Sequence, residues 1–299
     1  MTAATDVRPP GAAPPEGAAR RRPQAPFGGW LLSAPLLVFT AAMFLYPALS
    51  VVRTSLAESN ERGSGGFTLR HYADFFADEL YVRALLNTLV IAVVTVIITA
   101  VIGLIFAYQL TVRPGLRALQ ISLLLTPLLI NGVVRIFGLQ LGLISVSDVL
   151  MWLGIVDSPL GLQHSMTGIV MALVMFQLPF MAMAVYASLS RLDTSVLEAA
   201  RTLGAGRVAV ITRVVLPVAV PGLVAGGVLT FAAAAGAFIV PAMMGGGRIN
   251  TVPQMIYISV SQSDQWATAS AFAVILVVIL LVPILFSARW STRATYGGR

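Results

Sequence analysis

Ala84 to Leu110 reads ALLNTLVIAVVTVIITAVIGLIFAYQL, an unbroken apolar run without one charged residue. At ~1.5 Å per residue it is longer than the ~30 Å hydrocarbon core of a bilayer requires. Backbone groups in lipid have no water to bond, so the run must close its hydrogen bonds internally as an α-helix. Five more runs pass the same length test: Trp30 to Val52, Ala118 to Ile144, Met166 to Leu189, Pro221 to Met244 and Thr268 to Ala288. The sequence thus predicts an all-α polytopic membrane protein with six transmembrane helices. Run lengths and weak alternation argue against a barrel.

Composition agrees with this reading. Hydrophobic residues make up 58% of the chain and charged residues 10%, against roughly 25% charged in soluble domains. The net charge of +7 comes from arginines, since the chain has no lysine, and they gather at the ends of the apolar runs. That pattern speaks for membrane topology and against nucleic acid. There is no cysteine, and His71 and His164 lie far apart outside the runs; the expectation is no metal site and no cofactor.

Six spans return the chain to its starting side, and the arginines say which side that is. One set of segments holds Arg8, Arg20, Arg21, Arg22, Arg113, Arg117, Arg191, Arg201, Arg207, Arg213, Arg289, Arg293 and Arg299; the other holds Arg53, Arg62, Arg70, Arg83 and Arg248. The positive-inside rule puts the first set, with both termini, in the cytoplasm of a bacterial inner membrane. The opposite face collects Glu58, Glu61, Asp74, Asp78, Glu79, Asp148, Asp157 and Asp264. The domain reading is a disordered tail over 1–28, rich in Pro, Ala and Arg, a membrane domain over 29–290, and a short tail over 291–299. Pro35, Pro47, Pro127, Pro179, Pro241 and Pro283 fall in or near the spans, where they serve either kinking or packing.

The loop after the fourth span, Arg191 to Pro221, reads RLDTSVLEAARTLGAGRVAVITRVVLPVAVP. Ser195 and Glu198 fit a capping box that starts a helix at Val196, and Gly204 sits where a left-handed residue ends one. A second stretch runs from Arg207 to Leu216, where Pro217 argues against further regular helix. From these residues alone the loop is a helix, a glycine turn and a second helix, or simply a connector lying on anionic lipid.

Glu198-Ala199-Ala200, then Gly204, then Leu216-Pro217 resembles the EAA loop of ATP-binding-cassette (ABC) importer permeases, with Val214 where that family usually has Ile. The resemblance implies a type I ABC importer permease fold and a coupling helix that docks on an ATPase subunit. It also implies two ATPase subunits, a second similar permease and an extracytoplasmic solute-binding protein as partners. Ala84-Leu85-Leu86-Asn87-Thr88-Leu89, Leu178-Pro179, Pro221-Gly222 and Phe238-Ile239-Val240-Pro241 before Gly245-Gly246 are similar to spermidine/putrescine permeases. Importers of iron and phosphonates share these softer features.

None of the predicted spans carries a carboxylate, which disfavours an ion-coupled carrier, and no GxxxxGK[ST] motif is present. The chain is therefore read as a permease that catalyses no chemistry, with ATP hydrolysed elsewhere; a membrane enzyme would need a clustered acid, base or metal set. In the spans Asn131, Arg135 and Gln177 stand out. Asn131 and Arg135 are four apart on one predicted helix face, and the residues leave a pathway role and a structural role both open. Trp152 and Trp290 read as interfacial anchors. Phe67 to Phe76 is either a contact for the binding protein or a cap on the bundle.

Overall fold

A computed structural model describes residues 26–58 and 66–296. The arginine-rich N-terminal segment through Arg22, the loop residues Glu61 and Arg62, and Arg299 lie outside the described residues, as do the side chains of Arg201, Arg207, Arg289, Trp290 and Arg293. Among the described residues the chain is helical, with one isolated antiparallel bridge between Ala57 and Phe67. Six helices are long and apolar enough to cross a membrane. Two units are distinguished, Met1–Leu49 and Ser50–Arg299.

The first unit contributes most of α1, Pro26–Ser55. This helix begins inside the stretch read as a tail, because Pro26 is tolerated in a first turn where its missing N–H has no partner to lose. In the second unit a short helix α2, Arg70–Ala77, precedes α3, Glu79–Val112. Phe75 of α2 is fully buried against Tyr81 and Phe272, with ring centroids 6.0 and 4.8 Å away. The Phe67 to Phe76 element thus packs into the bundle through Phe75 and His71, while Phe67, Leu69 and Phe76 stay exposed.

The third span departs from the predicted Ala118 to Ile144. It is split into α4, Arg117–Leu125, a 3-10 turn, Thr126–Leu129, and α5, Gly132–Trp152. Pro127 has no N–H and its ring crowds the carbonyl four residues back, so regular helix stops there. Ile130 is extended (φ −88°, ψ 135°), and Asn131 starts the next helix by accepting from the Val133 N–H at 2.9 Å. As a result Asp148 lies inside a span, contrary to the carboxylate-free expectation, and Glu79 opens another.

The fourth span, α6, is Met166–Leu189 as read. A helix α7, Thr194–Thr202, and a short α8, Arg207–Val210, lead into the fifth span. That span does not begin at Pro221. Helix continues from α8 through a π turn, Ile211–Val215, into α9, Leu216–Ala235. Pro217 fails to end the helix because the π turn absorbs it: the Leu216 N–H donates to Ile211 O, five residues back, opening the turn that the proline ring enters. The span ends early, since Pro241 disfavours helix at Ala237, and Gly236 to Phe238 is irregular. Two short helices follow, α10, Ile239–Met244, and α11, Val252–Ser261. The last span, α12, Trp266–Tyr296, carries helix through most of the 291–299 segment read as a tail.

Helices α3, α6 and α9 form the centre. Small residues let them meet: a Cβ on Gly222 would lie 2.5 Å from Ala184 O and 2.8 Å from Val185 Cα, so the α9 backbone rests directly on α6. Close van der Waals approach of this kind drives association where lipid removes the hydrophobic incentive.

Candidate functional site

The loop between α6 and α9 is built by local signals resting on a buried floor. The Ser195 N–H donates to Asp193 Oδ1 at 2.9 Å, so Asp193 starts α7, two residues earlier than the predicted Ser195–Glu198 capping box. That backbone bond, and a second from the Ser195 side chain, hold the Asp193 carboxyl below the usual carboxylate range. Leu197 points into a cluster with Leu189, Val210 and Val215 and anchors the helix.

Gly204 ends α7 as its sequence position predicts. Its φ is +81°, and the Ala205 N–H donates to Ala200 O at 3.0 Å, the six-to-one bond of a Schellman motif. Ala200 and Ala205 both pack on the Leu197 cluster, supplying the apolar contact that accompanies this motif. The residues of the EAA pattern therefore separate by face. Ala200 belongs to the floor, whereas Glu198 and Ala199 are exposed, and Glu198 bonds nothing among the described residues through its carboxylate. Leu203 is 88% exposed and Val208 74%. These aliphatic side chains stand open beside the exposed Glu198 carboxylate, and an apolar patch rimmed by polar groups marks a contact surface for a protein or a membrane. Leu216, half-buried, and Pro217, exposed, sit at the π turn rather than on this face. Beside the loop a groove of about 590 Å³ opens between Tyr108 and Val112 of α3 and Ala205 and Ile211.

The second set of predicted residues is only partly assembled. Asn131 and Arg135 meet at the break in the third span, Asn131 as the helix cap and Arg135 one turn on. The Arg135 guanidinium donates from Nη2 to Ile130 O at 3.1 Å and sits 4.1 Å from the Phe176 ring centroid. Its Nε and Nη1 find no hydrogen-bond acceptor among the described residues. The arginine closes the chain break and gains a cation–π contact that a sequence cannot announce. Gln177 is buried on α6, and no hydrogen bond joins it to Arg135.

Sequence reasoning missed the ties that hold α10 and α11. Asn87 Nδ2 donates to Asn250 O at 3.1 Å, Thr88 Oγ1 accepts from the Val252 N–H at 2.9 Å, and Gln140 Nε2 donates to Met243 O at 3.0 Å. Asn87 and Thr88 lie about 13 Å along α3 from its start by rise. The hairpin of α10 and α11 therefore reaches past the start of α3, and side chains of α3 and α5 satisfy its backbone groups. His71, considered only as a metal ligand, is buried between Ala57 O at 3.1 Å and Thr268 Oγ1 at 3.2 Å, a packing role.

Known proteins resemble this arrangement. Residues 122–295 match the family described as binding-protein-dependent transport system inner membrane component. The spermidine/putrescine transport system permease protein PotB of Salmonella typhimurium (strain SL1344) is 32% identical over 88% of this chain and 90% of its own. PotB of Escherichia coli (strain K12) is 31% identical over 86% and 92%. Among solved structures, a chain of a bacterial alginate ABC transporter in complex with alginate pentasaccharide-bound periplasmic protein superposes with a TM-score of 0.73, at 21% identity over 90% of this chain and 96% of that one.

Proposed function

Because the chain belongs to the family of binding-protein-dependent transport system inner membrane components, we propose that it forms the pathway through which an ATP-driven importer carries spermidine or putrescine. It is a multi-pass permease subunit of an ABC importer rather than an enzyme. Support for the polyamine cargo is the near full-length similarity to permeases of that name. An extracytoplasmic binding protein delivers the solute, two ATPase subunits hydrolyse ATP, and a second, similar permease completes the path. The α7 end of the bundle, rich in Arg, faces the cytoplasm, as do both termini.

The observation that carries the coupling role is the exposed face of α7 and its turn, where Glu198, Ala199 and Leu203 stand clear of a floor made by Leu197 and Ala200. In this reading the ATPase covers that face and Glu198 meets a basic group there. Gly204 sets the angle at which α8 leaves, and Leu216-Pro217 with the π turn carries the displacement into α9. Asn131 and Arg135, at the break in the third span, and Gln177, on α6, contribute to the pathway.

Glu198→Gln keeps the fold of α7, because Asp193 and not Glu198 caps it. Losing one partner of a desolvated charge pair costs roughly 2–5 kcal/mol. Gly204→Val places a β-branched residue at a positive φ and distorts the turn. Reconstituted with ATPase and loaded binding protein, both variants are expected to insert normally and to lose stimulated ATP hydrolysis. A cysteine at Ala205, shielded from impermeant maleimide in intact cells, checks the sidedness in the same strains. Full stimulated hydrolysis in both variants would remove the docking role.

A further inference from the structure

We propose that the Phe238–Tyr257 ring pair is a contact for an ammonium group of the transported substrate, a proposal that rests on the polyamine cargo above. Phe238 ends the irregular stretch between α9 and α10, and Tyr257 lies on α11. Their ring centroids are 4.8 Å apart at an interplanar angle of 38°. Phe238 is half-buried and Tyr257 is 51% exposed, so the pair is packed on one side and open on the other. The neighbouring Ile239 is 52% exposed on the same irregular stretch.

Irregular backbone at membrane depth persists only where it is buried in protein or lines a watery path. Here both conditions divide the hairpin. Its inner edge is buried and bonded through Asn87, Thr88 and Gln140, while Tyr257 and Ile239 stay open. These bonds fix the ring pair in place before any substrate arrives.

The chemistry follows from what else the spans offer a cation. Among the described residues the carboxylates within candidate spans are Glu79, the first residue of α3, paired to Arg83 at 3.0 Å, and Asp148, one turn from the end of α5. Deeper in the spans no anionic side chain is present among those residues. Aromatic faces attract ammonium groups through their quadrupole without the strong trap of an ion pair. Transport requires binding favourable enough to admit the solute and weak enough to release it. A pre-positioned ring with an open face meets both demands for an aliphatic polyammonium ion.

The test is a graded series at Tyr257 in the complete importer, reading the initial rate of spermidine uptake into proteoliposomes at saturating loaded binding protein. Cation–π attraction is strongest for Trp, so Tyr257→Trp and Tyr257→Phe are expected to stay within about two-fold of wild type, and Tyr257→Leu to fall about five- to thirty-fold. A packing role gives the opposite order, because Leu fits where Trp overfills. Phe238→Leu, with an expected loss in the same direction, reads the pair independently should Tyr257→Leu fail to assemble. A flat series, or one in which Leu outperforms Trp, overturns the ring contact while leaving the cargo intact. Absence of spermidine uptake by the wild-type complex instead overturns the cargo, and the ring contact with it.

Discussion

The two ends of the helical bundle are ordered by different means. At one end α7 is capped by its own neighbour Asp193, closed by Gly204 and anchored by Leu197, all within a dozen residues of chain. At the other, α10 and α11 are held by bonds that join residues 163 and 164 apart in sequence. The first end keeps its shape while leaving Glu198, Ala199 and Leu203 exposed. The second is welded into the bundle, with Ile239 and Tyr257 left exposed. The coupling and pathway roles proposed above call for this division: a projection that a motor subunit pushes, and a mouth that stays fixed while a solute passes.

The comparison breaks most readily at the centre that joins the ends. Gly222 has no room for any side chain, since a Cβ there would overlap Ala184 O and Val185 Cα of α6. Gly222→Val is expected to cost more than ~3 kcal/mol by overpacking and to leave little monodisperse protein after detergent extraction. Gly204 offers the contrast, because a Cβ there meets nothing within 4 Å and only its φ of +81° resists substitution. Gly204→Ala should therefore extract at wild-type yield. Equal yields for the two variants would deny the central packing.

Thr88 sharpens the difference at the welded end. Its hydroxyl accepts from the Val252 N–H and donates to Ala84 O at 2.7 Å, so it serves two buried backbone groups. Thr88→Val keeps the shape and orphans the Val252 N–H, for an expected loss of about 1–3 kcal/mol. Thermal unfolding in detergent measures it, and hydrogen exchange should rise first at Val252 to Ser261. A variant as stable as wild type would show that the hairpin does not need the tie.

These particulars mark what a sequence can disclose. Composition and run length identified a six-span helical membrane protein, because lipid allows only helices and closed barrels and the long unbroken runs fit helices. Gly204 was legible since a Schellman turn is written in consecutive residues. The third span was misplaced because length counts apolar residues and ignores Pro127 and the cap at Asn131, although both signals were present. Pro217 misled in the other direction: a proline ends a helix unless a π turn makes room, and that depends on the packing of Val215 beneath it. Phe176 under Arg135, and Asn87 against Asn250, were not legible at all, because contacts between spans leave no local pattern.

The smallest expected effect separates the local end from the welded one by pH. Asp193 is fully exposed, and its carboxyl is held below the usual range by hydrogen bonds from Ser195. A group whose folded value is depressed stabilises the folded form above its unfolded value, about 3.9, and loses that contribution as pH falls through the depressed one. The start of α7 should therefore fray on the acid side of that range, while α11, tied by neutral amide and hydroxyl groups, stays closed. Hydrogen exchange at several pH values reads both segments in one sample, after correction for intrinsic rates. Asp193→Asn retains a good cap without a titrating charge, so the acid dependence should vanish with the helix start intact. Asp193→Ala should expose the first turn at every pH. Acid fraying that persists in Asp193→Asn would mean that another group controls the loop, and the local account of α7 would have to be given up.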